Sequence, residues 1–434
     1  MSRRPRRTWG ATTSRWALVP LTIITLCPTA PARAGEGPST SSPSVTLDVE
    51  EAARRAAEAS PVARRARALR GTVEARRVGA DHLLPSNPGV ALSAGPTTTD
   101  VAGTRTRDLG LAGHVEQTLE IAGQRGAQRA EVERAVDAAR ARERLADVEA
   151  RARGRAAYVA AWLASAQLEA ARRREALVTQ LEVSVRTRVS SGAASDVDLH
   201  LATLERGRVE RERHEFVQAA GDALAELRAL LALAPETGVT LAAALTAPAR
   251  ALPTLADALA RAAERRAELQ ALDADRSELD ATIVRLRREA VPSPTLFLDV
   301  ERDRPGELLT RGGLAIPLPL WRRNQGPIAV ARAEQARVDV ERTLATREIS
   351  LEVDRALRAA TVRRAQVAVD DAAILPAADQ ALELLTQGWR AGKFDLFRII
   401  QASREAGDAH RRALEDLGRL WEATIDLDRA TGTP

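Results

Sequence analysis

The spacing of apolar positions changes period several times along this chain, and the changes repeat. Residues 113–133 and 313–333 each begin as an alternating apolar run. Each then passes through a polar, glycine-containing elbow into a long Ala/Arg/Glu-rich stretch at helical spacing. The copies keep step at a shift of 200, which pairs Gly113 with Gly313, Gly126 with Gly326, Gly192 with Gly392, Leu199 with Ile399, Ala202 with Ala402 and Glu205 with Glu405. Independent helices share composition but not glycine spacing, so the register predicts a tandem duplication. Two copies are too few for a solenoid, which predicts that the units pair within one protomer.

In chain order, residues 45–79 read as helix, bent near Ser60-Pro61 and stopped by Pro85 and Pro88. Val90, Leu92 and Ala94 alternate as a strand, 96–106 is turn-rich, and Leu109, Leu111, Gly113, Val115, Gln117 and Leu119 share one face of a second strand. From 124 to 190 no proline interrupts the helical spacing of Tyr158, Trp162, Leu177, Leu181 and Val185. Such a helix would be about 100 Å long and needs a coiled-coil-like partner along its side. A turn at 191–195 follows, then a return helix N-capped by Ser195 with Phe216, Ala220, Leu224, Leu227 and Leu231 on one stripe. Residues 235–253 read as a link.

The second copy repeats the order. It has a helix at 255–289, a strand at 295–300, a turn at 301–309 and a strand at 312–320 that Pro317 and Pro319 carry out of the sheet. A long helix then runs to about residue 387, with a kink expected at Pro376, and a turn at 388–393 leads into a last helix. The chain is therefore predicted to be mainly α with a small β part: two long helical hairpins and four strands per protomer. The expected organisation is an export signal at 1–34, a polar linker at 35–44, a first repeat at 45–247, a link at 248–254 and a second repeat at 255–430.

Charge and cysteine sharpen this picture only at the N-terminus. Arg3, Arg4, Arg6, Arg7 and Arg15 precede a short apolar core, and Ala32-Arg33-Ala34 fits a small-x-small cleavage site. The chain has 64 basic and 59 acidic residues; without the six arginines of 1–34 it has 58 basic against 59 acidic. The basicity thus belongs to the signal, and nucleic-acid binding lacks an electrostatic footing. The single cysteine, Cys27, lies in the signal core, and Leu26 before it departs from the lipidation rule, so the mature chain is expected to carry neither thiol nor lipid.

Catalytic readings find little support. His82, His114, His200, His214 and His410 include no pair at i, i+4 ligand spacing, and no nucleophile elbow, phosphate loop or dinucleotide fingerprint occurs. No enzymatic activity, cofactor or metal site is expected. His114 alone sits in a strand pattern, where it would face either a lumen or a structural partner. The four strands present a different problem. Two isolated hairpins flanked by long helices have open edges. Those edges vanish if several protomers close one barrel, the β-structure that crosses a bilayer with every backbone group paired.

Three stretches, VEQTLEIAGQRGAQRAEVERA (115–135), IPLPLWRRNQGPIAVARAEQA (316–336) and WRAGKFDLFRIIQASRE (389–405), resemble the TolC family of outer-membrane efflux channels. The resemblance covers nearly the whole mature chain, and the Arg-Asn-Gln-Gly step at 323–326 resembles the heavy-metal branch. It implies a homotrimer whose four strands per protomer build a twelve-stranded barrel in outer-membrane lipid, with a periplasmic α-barrel below. It further implies a periplasmic membrane-fusion adaptor and an inner-membrane pump as partners, and passive exit of small molecules or metal ions as the function.

By position, the resemblance makes the turns after Gly192 and Gly392 the periplasmic tip, with Asp198, Leu199, Ala202, Arg398, Ile399 and Ala402 as gate and docking candidates. Gly113, Gly126, Gly313, Pro317, Pro319 and Gly326 become the strand-to-helix elbows. Some family members carry acidic residues six and nine positions after the second glycine; here these positions are Arg398 and Gln401, and Asp198 is acidic in the first copy instead. Asp198 and Arg398 either pair across the tip or are solvated helix residues. The alternative to the duct is a periplasmic coiled-coil adaptor or scaffold with soluble hairpins.

Overall fold

The computed structural model describes residues 44–101, 103–242, 244–304 and 307–433. The expected signal, almost all of the polar linker and Cys27 lie outside the described residues. The first half runs β1 (Ser44–Leu47), α1 (Val49–Ala59), α2 (Pro61–Ala80), β2 (Gly89–Val101), β3 (Thr104–Thr118), α3 (Gln124–Ser190) and α4 (Asp196–Leu230). The second runs β4 (Gly238–Leu241), α5 (Leu255–Arg265), α6 (Ala267–Glu289), β5 (Thr295–Arg304), β6 (Glu307–Ala315), α7 (Gln325–Val369), a π-helical segment (Asp370–Ile374), α8 (Leu375–Arg390) and α9 (Leu396–Thr431). The mainly helical class with a small β part is borne out.

Six strands are described rather than four. Residues 45–47, expected to be helical, belong to β1, which pairs in parallel with β4, a strand in the expected link. The two are near-copies, Ser-Val-Thr-Leu and Gly-Val-Thr-Leu. Four residues are too few for alternation to show, and β1 runs almost directly into α1, whose N-cap Asp48 accepts the Glu51 N–H at 2.7 Å. The expected helix 255–289 is likewise two helices, broken at Arg266 as the first half is broken at Ser60; both residues leave helical geometry with ψ of 118° and 123°. No proline marks the second break. Arg266 fixes it from the side chain, through the Arg429 carbonyl and Glu352.

α3 carries the core. Its Tyr158 and Val159 are fully buried against Leu47 of β1, Ala52 and Ala56 of α1, and Leu227 of α4. Ile349 and Val353 of α7 pack on Ala258 and Ala262 of α5 and Leu427 of α9 in the matching place of the second half. Small residues allow α1 to approach closely: a Cβ on Gly154 would stand 2.6 Å from Ala56 Cβ and 2.8 Å from the Ala52 carbonyl oxygen. The kink expected at Pro376 takes the form of the π-helical segment, where the Leu375 N–H reaches the Asp370 carbonyl. A widened turn is one way for a helix to continue past a residue without an N–H.

The larger sheet has the order β2-β3-β5-β6, antiparallel throughout, so β2 and β6 are free edges. Residues 96–101 and 301–304, expected in turns, extend β2 and β5. Pro96 is tolerated because β2 is an edge strand. Gly103, at φ +83°, makes the turn of the first hairpin. Register aligns Val90, Val115 and Leu298 on one face, and Leu92, Gly113 and Val300 in the next row. The opposite face aligns Ala91, His114, Asp299 and Arg311. One face is thus apolar yet exposed, with Val90, Leu92, Leu111, Val115, Leu296, Leu298 and Leu314 all open.

Two substitutions test this packing. Gly154→Val should lower the thermal midpoint through overpacking of about 1–3 kcal/mol or more, whereas Gly207→Ala, whose added Cβ meets nothing, should leave it unchanged or raise it. Asp370 is buried in the π-helical segment, with Oδ2 lacking a hydrogen-bond partner among the described residues. Burial, then the charges of Asp416 and Asp371, push its pKa up. A folded pKa above the unfolded one means that the wild-type chain gains stability as pH falls through the folded value. Asp370→Asn should therefore be the more stable protein at neutral pH in thermal melts. That advantage should shrink as pH falls toward the ordinary aspartate range near ~4.

Candidate functional site

The two helix–helix turns are built alike. α3 ends with Gly192 at φ +74° and α8 with Gly392 at φ +73°, the left-handed geometry that glycine adopts freely. Gly192 and Ala193 donate to the Val189 and Arg188 carbonyls at 2.9 and 2.7 Å; Gly392 and Lys393 donate to the Trp389 and Gly388 carbonyls at 2.9 and 2.8 Å. Both are the helix-ending motif with paired backward hydrogen bonds. Ser195 then starts α4 through a reciprocal capping box with Asp198, and Asp395 starts α9 by accepting the Arg398 N–H at 2.9 Å.

The turns pack on each other. Leu181, Val185, Ala202, Trp389, Leu396, Ile399 and Ile400 form one buried cluster, with Leu199 packed at its margin. Leu199, Ala202 and Ile399 thus come together, while Ala402 is half-buried outside the cluster. Asp198 and Arg398 do not pair among the described residues. The Asp198 carboxylate is engaged by the Ser195 N–H and hydroxyl at 3.0 and 2.8 Å, and the Arg398 guanidinium lies over the Phe394 ring at 5.8 Å. Within one protomer, capping takes the charge that a bridge across the tip would need.

Residues that spacing did not single out hold the turns in place. Arg188 stacks on Trp389 at 4.2 Å and donates to the Trp389 and Arg390 carbonyls at 3.0 and 3.1 Å, so α3 caps the C-terminus of α8. Phe394 lies against Gly388, in space that any Cβ would fill. Glu205, 1% exposed, takes Arg174 of α3 at 3.2 Å and Arg404 of α9 at 3.0 Å, tying three helices at one carboxylate. A cavity of about 190 Å³ between α3, α4, α8 and α9 lies nearby, lined by Leu177, Phe216, Leu382 and Leu414 and bordered by Ser403 and His410. The duplicated register did point to Glu205, but only as the counterpart of Glu405. That α3 and α9 would each supply an arginine is a tertiary fact.

At the other end of the long helices the elbows depart from the expected assignment. Gly113 and Gly313 lie inside β3 and β6, and on opposite faces: Gly113 shares the apolar face with Leu92, whereas Gly313 lies beneath the Phe297 ring on the polar face. Gly126 and Gly326 are first-turn residues of α3 and α7. The left-handed residues at the elbows are Gly123 (φ +74°) and Asn324 (φ +58°). After each, a glutamine side chain accepts a backbone N–H from two residues back, Gln124 from Ala122 at 2.7 Å and Gln325 from Arg323 at 2.8 Å. These equivalent pairs are 201 residues apart, against 200 at the tips. One residue is lost because α7, the π-helical segment and α8 have 45, 5 and 16 residues against the 67 of α3. Pro317 and Pro319 lie just beyond β6, where the chain leaves the sheet. His114 is on the polar face, 2.8 Å from Asp299 and 3.5 Å from Glu116. Among the described residues, no group of three or more His, Cys, Asp or Glu is arranged to hold a metal ion.

No family model matches the chain. It is 30% identical over 256 residues to the cobalt-zinc-cadmium resistance protein CzcC of Cupriavidus metallidurans, a match covering 56% of this chain and 58% of the relative, so it spans little more than half of that protein's length. Among solved structures, CusC superposes with a TM-score of 0.69 at 16% identity, covering 89% of this chain and 92% of CusC. The open-state MtrE outer-membrane channel of Neisseria gonorrhoeae superposes at 0.67 and 17% identity, covering 88% of each chain. The resemblance expected from the sequence is borne out: the fold is that of the TolC-type outer-membrane channels.

The tip makes its own test. Glu205→Ala leaves two arginines without their shared carboxylate and should destabilise the chain by about 3 kcal/mol, read as a lowered midpoint in denaturant unfolding. Gly392→Val forces a β-branched residue into left-handed geometry. It should speed proteolytic cleavage around 388–396 without changing cleavage around 188–196.

Proposed function

We propose that this chain, with its TolC-type channel fold, is the outer-membrane subunit of a tripartite efflux system. Its β-strands form the exit pore and its long helices a periplasmic tunnel. The observation that carries this reading is the four-stranded sheet, which has two unpaired edges and, among the described residues, an apolar face left exposed. Strands of 13, 15, 10 and 9 residues are long enough to cross a bilayer, which takes ~9–11 tilted residues. Among the described residues no helix is long and apolar enough to do so. Three copies closing edge to edge give twelve strands, with Val90, Leu92, Leu298 and their neighbours against lipid and the His114–Asp299 row facing the lumen.

The two similar turns at 191–195 and 391–395 are then the periplasmic tip, where Gly192, Asp198, Gly392 and Arg398 meet an adaptor protein linked to an inner-membrane pump. An export role for residues 1–34 fits this location. The relative named for cobalt, zinc and cadmium resistance supports metal ions as cargo. Reading the chain as a soluble periplasmic adaptor would leave the apolar sheet face in water, an unfavourable arrangement for a patch of this extent.

Multi-angle light scattering of the detergent-solubilised protein should report three chains per particle, and the same preparation should conduct ions in planar bilayers. A monodisperse monomer that needs no detergent would overturn both the barrel and the duct.

A further inference from the structure

The elbow that follows β6 differs in composition from the surrounding surface. Residues 316–323 read Ile-Pro-Leu-Pro-Leu-Trp-Arg-Arg. Ile316, Leu318 and Leu320 are all exposed, and Trp321 is 83% exposed. On β6 the apolar face carries Leu314, and the same every-second-residue apolar pattern continues through 316, 318 and 320. The apolar strip therefore runs beyond the end of the sheet, and Trp321 and then two arginines close it.

This segment is braced. Gln325 accepts the Arg323 N–H at 2.8 Å and donates to the Trp321 carbonyl at 2.9 Å. The Leu320 N–H reaches the Leu318 carbonyl at 2.9 Å, Arg323 Nε the Pro319 carbonyl at 2.9 Å, and Asn324 Nδ2 the Leu286 carbonyl at 3.0 Å. The brace uses the Arg323 side chain but leaves Arg322 exposed, with no carboxylate partner among the described residues. In the equivalent elbow of the first half Gln124 likewise accepts the N–H from two residues back, but its amide donates to the Val291 carbonyl at 3.3 Å and no tryptophan is present: the elbow ends Ile121-Ala122-Gly123, and Arg288 donates to the Ala122 carbonyl. The accepting half of the brace is common to both elbows, and the aromatic–basic tip belongs to the second alone.

A rigid loop holding tryptophan and leucines outward, continuous with a lipid-facing strip and ending in a free guanidinium, matches the boundary between acyl chains and headgroups. Tryptophan settles there because its body is apolar and its N–H is polar, and arginine pairs with phosphate oxygens. We propose that residues 316–323 form a lipid-binding finger. Ile316, Leu318, Leu320 and Trp321 enter the headgroup boundary of the periplasmic leaflet, and Arg322 takes the phosphate of an anionic phospholipid. The finger rests on the membrane reading of the sheet and adds a ligand that the duct function does not require.

The full-length protein, reconstituted into phosphatidylcholine vesicles with or without phosphatidylglycerol, provides the test. The emission present in the wild type and absent in Trp321→Phe isolates Trp321. Lipids brominated near the headgroup should quench it, brominated phosphatidylglycerol more effectively than brominated phosphatidylcholine at the same content. Arg322→Gln should cut that preference by about fivefold, the factor expected for one basic side chain at an anionic surface. Equal quenching by the two lipids would overturn the phosphate contact. Absence of quenching by either would assign Trp321 to a contact between subunits and overturn the finger. Flotation of the protein with the vesicles separates these outcomes from failure of the membrane reading, since a chain that does not float removes both.

Discussion

A four-stranded antiparallel sheet leaves one row of backbone N–H and C=O groups unpaired along β2 and another along β6. In water such edges recruit further strands without selectivity, and in lipid each unpaired group costs several kcal/mol. The remaining features of the chain accommodate that constraint. The strands are long enough for a bilayer, most of their large apolar residues fall on one face, and the hairpins of the two halves join through β3 and β5 so that each protomer presents a single pair of edges. One hairpin from each half thus yields a sheet whose edges lie at opposite ends of one layer and can meet those of further copies.

The helices answer a second constraint. A helix of 67 residues has no intrinsic stability on that scale and must be supported along its side. The chain supports α3 at separate levels: alanine and valine contacts with α2, a core of Tyr158 and Val159 near the middle, and the Glu205 node and the Trp389 cluster toward the turns. Where α1 lies on α3 the contact residues are small, Gly154 against Ala52 and Ala56, and arginine–carboxylate pairs such as Arg67–Asp147 and Arg276–Asp339 link other neighbouring helices. Many of those pairs are exposed and contribute little each. Glu205 differs because it is buried and shared between two arginines from different helices.

Much of this was legible in the sequence, and the limits have physical causes. Gly192, Gly392 and Ser195 were readable because left-handed turns and helix caps restrict residue type at single positions. The long helices were readable because no proline interrupts 124–190. β1 and β4 were not, since four residues cannot display a period and their pairing spans the first half of the chain. The elbow offset was missed for a different reason: glycine identity suggested a shift of 200, whereas strand facing depends on parity, and one residue moves every side chain to the other face. Gly113 and Gly313 match as letters and lie on opposite surfaces. Arg188, Arg174 and Arg404 were hidden among dozens of arginines, because their roles depend on which helix lies opposite.

The pairing of β1 with β4 also bears on the order in which the molecule can be made. Ser44 has its partner at Gly238, and Leu47 has its partner at Leu241. A chain that emerges N-terminus first must therefore hold β1 and the alanine-rich α1 unfinished until nearly two hundred further residues have followed. The fully buried Leu47, and with it the floor under Tyr158, is completed late. Contacts of such long range form slowly and leave apolar surface open meanwhile. A stall before residue 238 would leave a product lacking the strand that pairs with β1 and completes the cover over Leu47.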